Sequence, residues 1–137
     1  MATKFTELQC WRLSDELREE VNAICAQEQV TWRRRFCDGF TEAAGSVCHN
    51  IAEGFVRYES PQIVQFFTYA LSSLAEVEDY LRECLTRRFI TRDRFDKDLE
   101  LLEHARAKTT RFMQHHKARE ARRKQRRSGR NENHPGS

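Results

Sequence analysis

The chain has 137 residues, of which 39% are hydrophobic and 33% charged, a size and balance that set one domain around one core. Its net charge of +3 hides a split, because residues 1–116 carry 16 Lys+Arg against 19 Asp+Glu while residues 117–137 carry 8 against 2. No apolar run approaches the roughly 18 to 20 residues that span a bilayer, and the N-terminus lacks the charged-then-apolar layout of an export signal, so no membrane and a cytoplasmic location are expected.

Helical periodicity runs through most of the sequence, and the alternation of β-strands is missing throughout. The first predicted helix spans Phe5 to Ala26, with Leu8, Leu13, Leu17, Val21 and Ile24 recurring mostly at steps of three or four. The polar stretch Gln27-Glu28-Gln29 interrupts it, and Thr31 is the expected N-cap of a second helix over Trp32–Arg57. That helix carries the stripe Phe36, Phe40, Ala43, Ala44, Val47, Ile51 and Phe55. Its small residues Ala43, Ala44, Gly45, Ser46 and Ala52 would admit a neighbour closely. Gly54 either starts the helix end or makes room for another helix.

Ser60-Pro61 marks the sharpest boundary, with Ser60 suited to the N-cap and Pro61 to the first helical position. The third helix then runs to Thr86 on Ile63, Phe66, Phe67, Ala70, Leu74, Val77, Leu81 and Leu85. Thr91 is the expected N-cap of the fourth helix, with Asp93 favourable to the helix dipole. Phe95, Leu99, Leu102, Thr109, Phe112 and Met113 continue the buried face, and no large apolar residue follows. Arg119 to Arg127 would extend the helix in solvent, and Ser128 to Ser137 reads as disordered.

The fold class expected is all-α: an antiparallel up-down-up-down four-helix bundle over residues 1–116, with a basic, partly disordered C-terminal tail over 117–137. Trp11, Trp32, Tyr58, Tyr69, Leu71 and Leu101 fall beside the main seams, as scattered surface residues or as a subunit interface. Cys10, Cys25, Cys37, Cys48 and Cys84 form no C-x-x-C pair and read as reduced, small apolar residues. No catalytic residue, metal site or cofactor is expected. A di-iron bundle needs Glu-x-x-His twice, and none of the five histidines has a Glu three residues before it. Cys48 and His49 are no nucleophile–base pair, since adjacent helical side chains point about 100° apart.

The segment Ser46-Val47-Cys48-His49-Asn50-Ile51-Ala52-Glu53-Gly54-Phe55-Val56-Arg57 sets Asn50, Glu53 and Arg57 on one polar stripe close to the apolar one. It resembles the S-[IV]-x-x-N-I-A-E-G-x-x-R signature of the four-helix-bundle family that includes 23S rRNA intervening-sequence proteins and the accessory variability determinants of diversity-generating retroelements. Phe66-Phe67-Thr68-Tyr69-Ala70-Leu71-Ser72-Ser73-Leu74-Ala75-Glu76 resembles the family's F-[LF]-x-[IY]-A-x-[GS]-S-x-x-E run, and the likeness extends from about Leu8 to Phe112. Ser72 stands where glycine is usual, and the family's P-x-x-E-x-[YF] start to the second helix is missing. The resemblance implies a homopentameric barrel and either an rRNA intervening sequence or a retroelement reverse transcriptase as context, while the missing catalytic motifs lead to the expectation of a non-enzymatic role.

Two groups of residues are candidates for function. Asn50, Glu53, Gly54, Arg57, Ser73 and Glu76 form a polar motif. It is read either as a partner contact through Arg57 or as a structural network in which Glu53 pairs with Arg57 and Asn50 bonds Ser73 or the backbone. The second group is basic: Arg33, Arg34 and Arg35, with Arg119, Arg122, Arg123, Lys124, Arg126 and Arg127 in the tail, plus the cluster Arg87, Arg88, Arg92 and Arg94. Phosphate contacts by such residues give RNA or DNA binding without base readout. Alternating helices are expected to bring the Arg33 cluster to the end where the tail emerges, away from Arg87–Arg94. The rival expectation is a structural adaptor for a protein partner, such as a reverse transcriptase, whose tail serves only solubility.

Overall fold

The structure is a computed structural model that describes residues 2–132. It is all-helical, with no strand among the described residues: a 3-10 turn at Phe5–Glu7, then α1 (Gln9–Cys25), α2 (Glu28–Thr31), α3 (Arg34–Phe55), α4 (Ser60–Thr86) and α5 (Arg92–Glu132). The first long helix starts later than periodicity indicated. Leu8 is extended (φ −72°, ψ 130°) and divides the 3-10 turn from α1. The turn folds back, with the Phe5 ring edge-on to Trp11 at 5.4 Å.

Thr31 does not cap α3. It ends the single turn α2, and its N–H donates to the Gln27 carbonyl at 2.8 Å. The cause is Val30, which is completely buried. Burying a valine is worth about 1.5–3 kcal/mol against about 1 kcal/mol for a threonine cap. Ser60 likewise makes no cap bond: it lies inside the first turn of α4, and the Glu59 carbonyl accepts from Gln62 and Ile63 at 3.1 Å each. Thr91 behaves as expected, its hydroxyl accepting the Arg94 N–H at 3.1 Å. The close of α4 is a Schellman motif. Arg88 is left-handed (φ 61°), Phe89 N–H donates to Cys84 O at 2.8 Å, and Arg88 N–H to Leu85 O at 3.1 Å. Buried Phe89 and Ile90 hold this turn in place.

Each of the four long helices packs on two others: α3 on α1 and α4, and α5 on α4 and α1. The start of α3 meets the later part of α4, where Phe40 stacks on Tyr80 at 5.3 Å. The end of α3 meets the beginning of α4, where a Cβ on Gly54 would lie 2.8 Å from the Phe67 ring. Gly54 therefore makes room for a neighbour, and the helix continues past it to Phe55. Phe67 in turn stacks on Phe112 of α5 at 4.6 Å. Leu17, Val21, Ile24, Phe40, Val47, Ile51, Leu74, Leu81 and Leu102 fill the centre, each almost wholly hidden from solvent.

One charged group lies in this interior. Asp98 is fully buried, and Arg94 donates to its Oδ2 at 2.9 Å while also pairing with Glu20 at 2.8 Å. Asp98 Oδ1 has no partner. Burial raises the Asp98 carboxyl above its ordinary value, and the Arg94 bond opposes the rise. All five cysteines are free thiols, and only Cys37 is incompletely buried. Burial pushes Cys10 and Cys48 up to about 11 and Cys25 and Cys84 up to about 12.

Helix α5 has 41 residues against 27 in α4, so it overshoots by roughly 20 Å. Past Met113 its side chains are exposed or at most half-buried. It stays helical from Ser128 to Glu132, where composition indicated disorder, because propagation adds one hydrogen bond per residue and Gly129 costs only about 1 kcal/mol. Residues 133–137 of that expected disordered stretch lie outside the described residues. Among the described residues no helix is long and apolar enough to cross a membrane.

Candidate nucleic-acid interface

The polar motif divides into a buried part and an exposed part. Asn50 donates through Nδ2 to the Ser46 carbonyl at 2.8 Å and to its hydroxyl at 3.0 Å. From α4, Ser73 donates its hydroxyl to the same Ser46 Oγ at 2.9 Å. Ser46 is thus the junction between Asn50 and Ser73, and it lies where small residues let α3 and α4 approach. One turn further on, Glu53 and Arg57 pair at 3.0 Å, and the Arg57 guanidinium sits 5.0 Å above the Phe66 ring. Both side chains of this pair are well exposed, and such pairs contribute about 0–1 kcal/mol. Glu76 is exposed on α4 and joins neither group; no ion pair involves it among the described residues.

The basic residues fall at two ends of the molecule, and the Arg33 cluster is not at the end reached by the tail. Arg33 lies between two aromatic rings, 4.3 Å from the centroid of Trp32 and 4.8 Å from that of Phe89. Phe89 belongs to the α4–α5 connection, so Arg33, Arg34 and Arg35 share an end with Arg87–Arg94. The contacts between α3 and α4 give the reason: Phe40 meets Tyr80 while Gly54 meets Phe67, so the close of α4 lies beside the start of α3. Arg33 Nε is buried without a partner, whereas Arg34 and Arg35 are exposed. A cleft of about 650 Å³ at this end includes Arg88, Arg92 and Arg94 in its wall. Arg92 pairs with Asp96 at 3.1 Å and Arg94 with Asp98 and Glu20.

The other end is built by α5 running past the α3–α4 turn. Arg119, Arg122, Arg123 and Arg126 recur at steps of three, one and three and so share one face. With His115, Tyr58 and Ser60 they line a cleft of about 630 Å³. Among the described residues none of these four arginines has a carboxylate within ion-pair distance. Lys124 and Arg127 look across a smaller hollow of about 220 Å³ toward Glu59 and Pro61, and Lys124 pairs with Glu120 at 3.2 Å. Burial, and then the charges of His115 and Arg119, push His116 below the usual histidine value.

Three residues here escaped the sequence reading. Ser46 stands in the signature but gave no sign of joining Asn50 to Ser73. His115 was given no role by its spacing, and it lines the cleft of the α5 arginines. Tyr58 was only a surplus aromatic, yet it is 100% exposed and stands in the wall of the arginine-lined cleft.

No curated protein matches the chain. The family model described as 23S rRNA-intervening sequence protein matches residues 6–111, which takes in the polar motif and Arg33–Arg35 but stops short of the arginine face of α5. On that match, which covers well over half of its length, the chain belongs to the 23S rRNA-intervening sequence protein family.

Proposed function

We propose that this chain is a non-enzymatic, cytoplasmic, antiparallel up-down-up-down four-helix-bundle protein that assembles into a homo-oligomer and binds RNA or DNA through backbone phosphates. The observation that carries the reading is the arginine face of α5, which extends past the core with no ion pair at Arg119, Arg122, Arg123 or Arg126 among the described residues. Side chains so placed keep their full charge for a polyanion. Displaced counterions then make the affinity steep in salt. Several subunits would multiply weak contacts into useful affinity, and a pentamer is the number that family resemblance supplies. The setting that fits is an rRNA intervening sequence, with a retroelement accessory role as the finer alternative.

The test is affinity for RNA and DNA at several salt concentrations, for the full chain and for the Arg119→Gln, Arg122→Gln, Arg123→Gln, Arg126→Gln variant. Four lost phosphate contacts flatten the log–log salt slope by about 3 on single strands. An unchanged slope would remove α5 from the interface. The rival reading is a protein adaptor with a partner such as a reverse transcriptase, the tail serving only solubility. Absence of nucleic-acid binding by the full chain at low salt, with the oligomer intact, selects the adaptor.

A further inference from the structure

The arginine-lined cleft contains an element that phosphate binding does not require. Tyr58 lies in the short connection between α3 and α4, and its side chain is 100% exposed. Hiding an aromatic ring of this size is favourable, yet no described residue covers it. Its neighbours across the cleft are His115, Arg119, Arg122, Arg123 and Arg126. From Arg119 to Arg126 the helix rises about 10 Å, so the guanidinium groups form a short ladder beside one aromatic face. The cleft volume of about 630 Å³ is in the range that accepts small organic groups.

We infer that this cleft binds an unpaired polynucleotide strand, with Tyr58 stacking on one splayed base while the α5 arginines hold the flanking phosphates. The inference rests on the nucleic-acid reading above and narrows it to one end of the bundle and one form of ligand. A base inside a duplex is stacked on both faces and offers none to Tyr58, whereas a looped or single-stranded base offers its π-face. Tyrosine stacking is tolerant of sequence, because every base has a π-face. The opposite end has a cleft of similar size, about 650 Å³, but Arg92 and Arg94 in its wall are paired with acids, which leaves Arg88 as its one guanidinium without an ion pair among the described residues, and no tyrosine lines it.

The test uses the full-length protein with short fluorescein-labelled oligouridylate and oligothymidylate strands, and a blunt RNA duplex of equal length. Comparing the two single strands separates RNA from DNA as the source of the strand. Tyr58→Ala weakens whichever strand binds by about tenfold and leaves duplex affinity and the salt slope alone. Tyr58→Phe keeps the ring and retains wild-type affinity. Arg122→Gln with Arg126→Gln weakens strand and duplex together and flattens the single-strand salt slope by about 1.4. Because Tyr58 is fully exposed, all Tyr58 variants keep the wild-type circular dichroism and melting curve. If Tyr58→Ala leaves strand binding intact, or weakens strand and duplex equally, the stacking site is wrong while phosphate binding stands. If the wild-type chain binds no strand and no duplex at low salt, the broader reading falls with it.

Discussion

The two ends of the molecule are both rich in arginine and use it in opposite ways. At the end where α4 meets α5, Arg33 is sandwiched between Trp32 and Phe89 and Arg94 anchors buried Asp98. Arg87 and Arg92 there pair with Glu83 and Asp96 at 2.9 and 3.1 Å. At the end where α5 passes the α3–α4 turn, four arginines line a cleft of nearly the same volume without an acid among the described residues. At the first end Arg33 and Arg94 are committed to the fold while Arg34, Arg35 and Arg88 stand exposed without an ion pair among the described residues, and at the second end none of the four that line the cleft is paired. A count of basic residues cannot separate these uses, because the difference lies in what stands opposite each guanidinium.

The largest effect expected from this contrast is on stability at the first end. Arg94→Ala leaves Asp98 buried without its counter-ion and costs about 3 kcal/mol or more in a denaturant melt at neutral pH. In that variant the folded Asp98 carboxyl rises still further above its unfolded value, so the native state takes up a proton that the unfolded chain does not. The deficit therefore shrinks as pH falls toward the ordinary aspartate range. A pH-independent loss would show that the Arg94 bond to the Glu20 main-chain carbonyl at 3.3 Å, not either carboxylate, is what matters.

A smaller effect separates the core from the extension through one kind of substitution. A Cβ at Gly54 meets the Phe67 ring at 2.8 Å and the Phe66 Cβ at 3.0 Å, and Phe67 is itself locked by Phe112. Gly54→Ala is expected to cost about 1–2 kcal/mol, the overpacking strain exceeding the gain in helix propensity. Gly129 has nothing within 4 Å of such a Cβ. Gly129→Ala raises the helical signal at 222 nm and changes global stability by less than about 0.5 kcal/mol. A large stability gain at Gly129 would mean that the extension is packed on something.

The smallest effect is a pH dependence. Hydrogen bonds from Arg106 and Arg82 hold Glu78 below the usual glutamate value. The stability it contributes is complete above the unfolded glutamate value and is lost as pH falls through the lower folded one. Glu78→Gln should give a shallower acid limb in a plot of melting temperature against pH. An identical limb would show that the Arg106 link between α4 and α5 is formed in solution only weakly.

Features set within a few residues were legible in the sequence. The Thr91 cap, the break at Pro61, the Glu53–Arg57 pair and the buried stripe of α4 all follow from local spacing and local bonds. Features set by tertiary packing were not. Thr31 loses its capping role because Val30 is drawn into a core built mainly by other helices. Arg33 meets Phe89 only once α4 has returned to the end where α3 begins, and the sequence reading placed that cluster with the tail instead. The cleft beside Tyr58 exists because α5 outruns its neighbours, a fact of relative helix lengths that composition obscured by making Ser128 onward look unstructured. Family membership was readable from the signature segments, and the basic face beyond residue 111 is what that membership leaves undescribed.

The buried thiols give the molecule an internal clock. With burial pushing Cys10, Cys25, Cys48 and Cys84 to about 11 or 12, a maleimide or dithionitrobenzoate reagent finds almost no thiolate while the helices remain packed. With the partly exposed Cys37 replaced, each modification records a breathing event at one address: Cys10 at the start of α1, Cys25 at its end, Cys48 in the second half of α3, Cys84 near the close of α4. The order in which they react maps which seams part first, without adding a single probe to the chain.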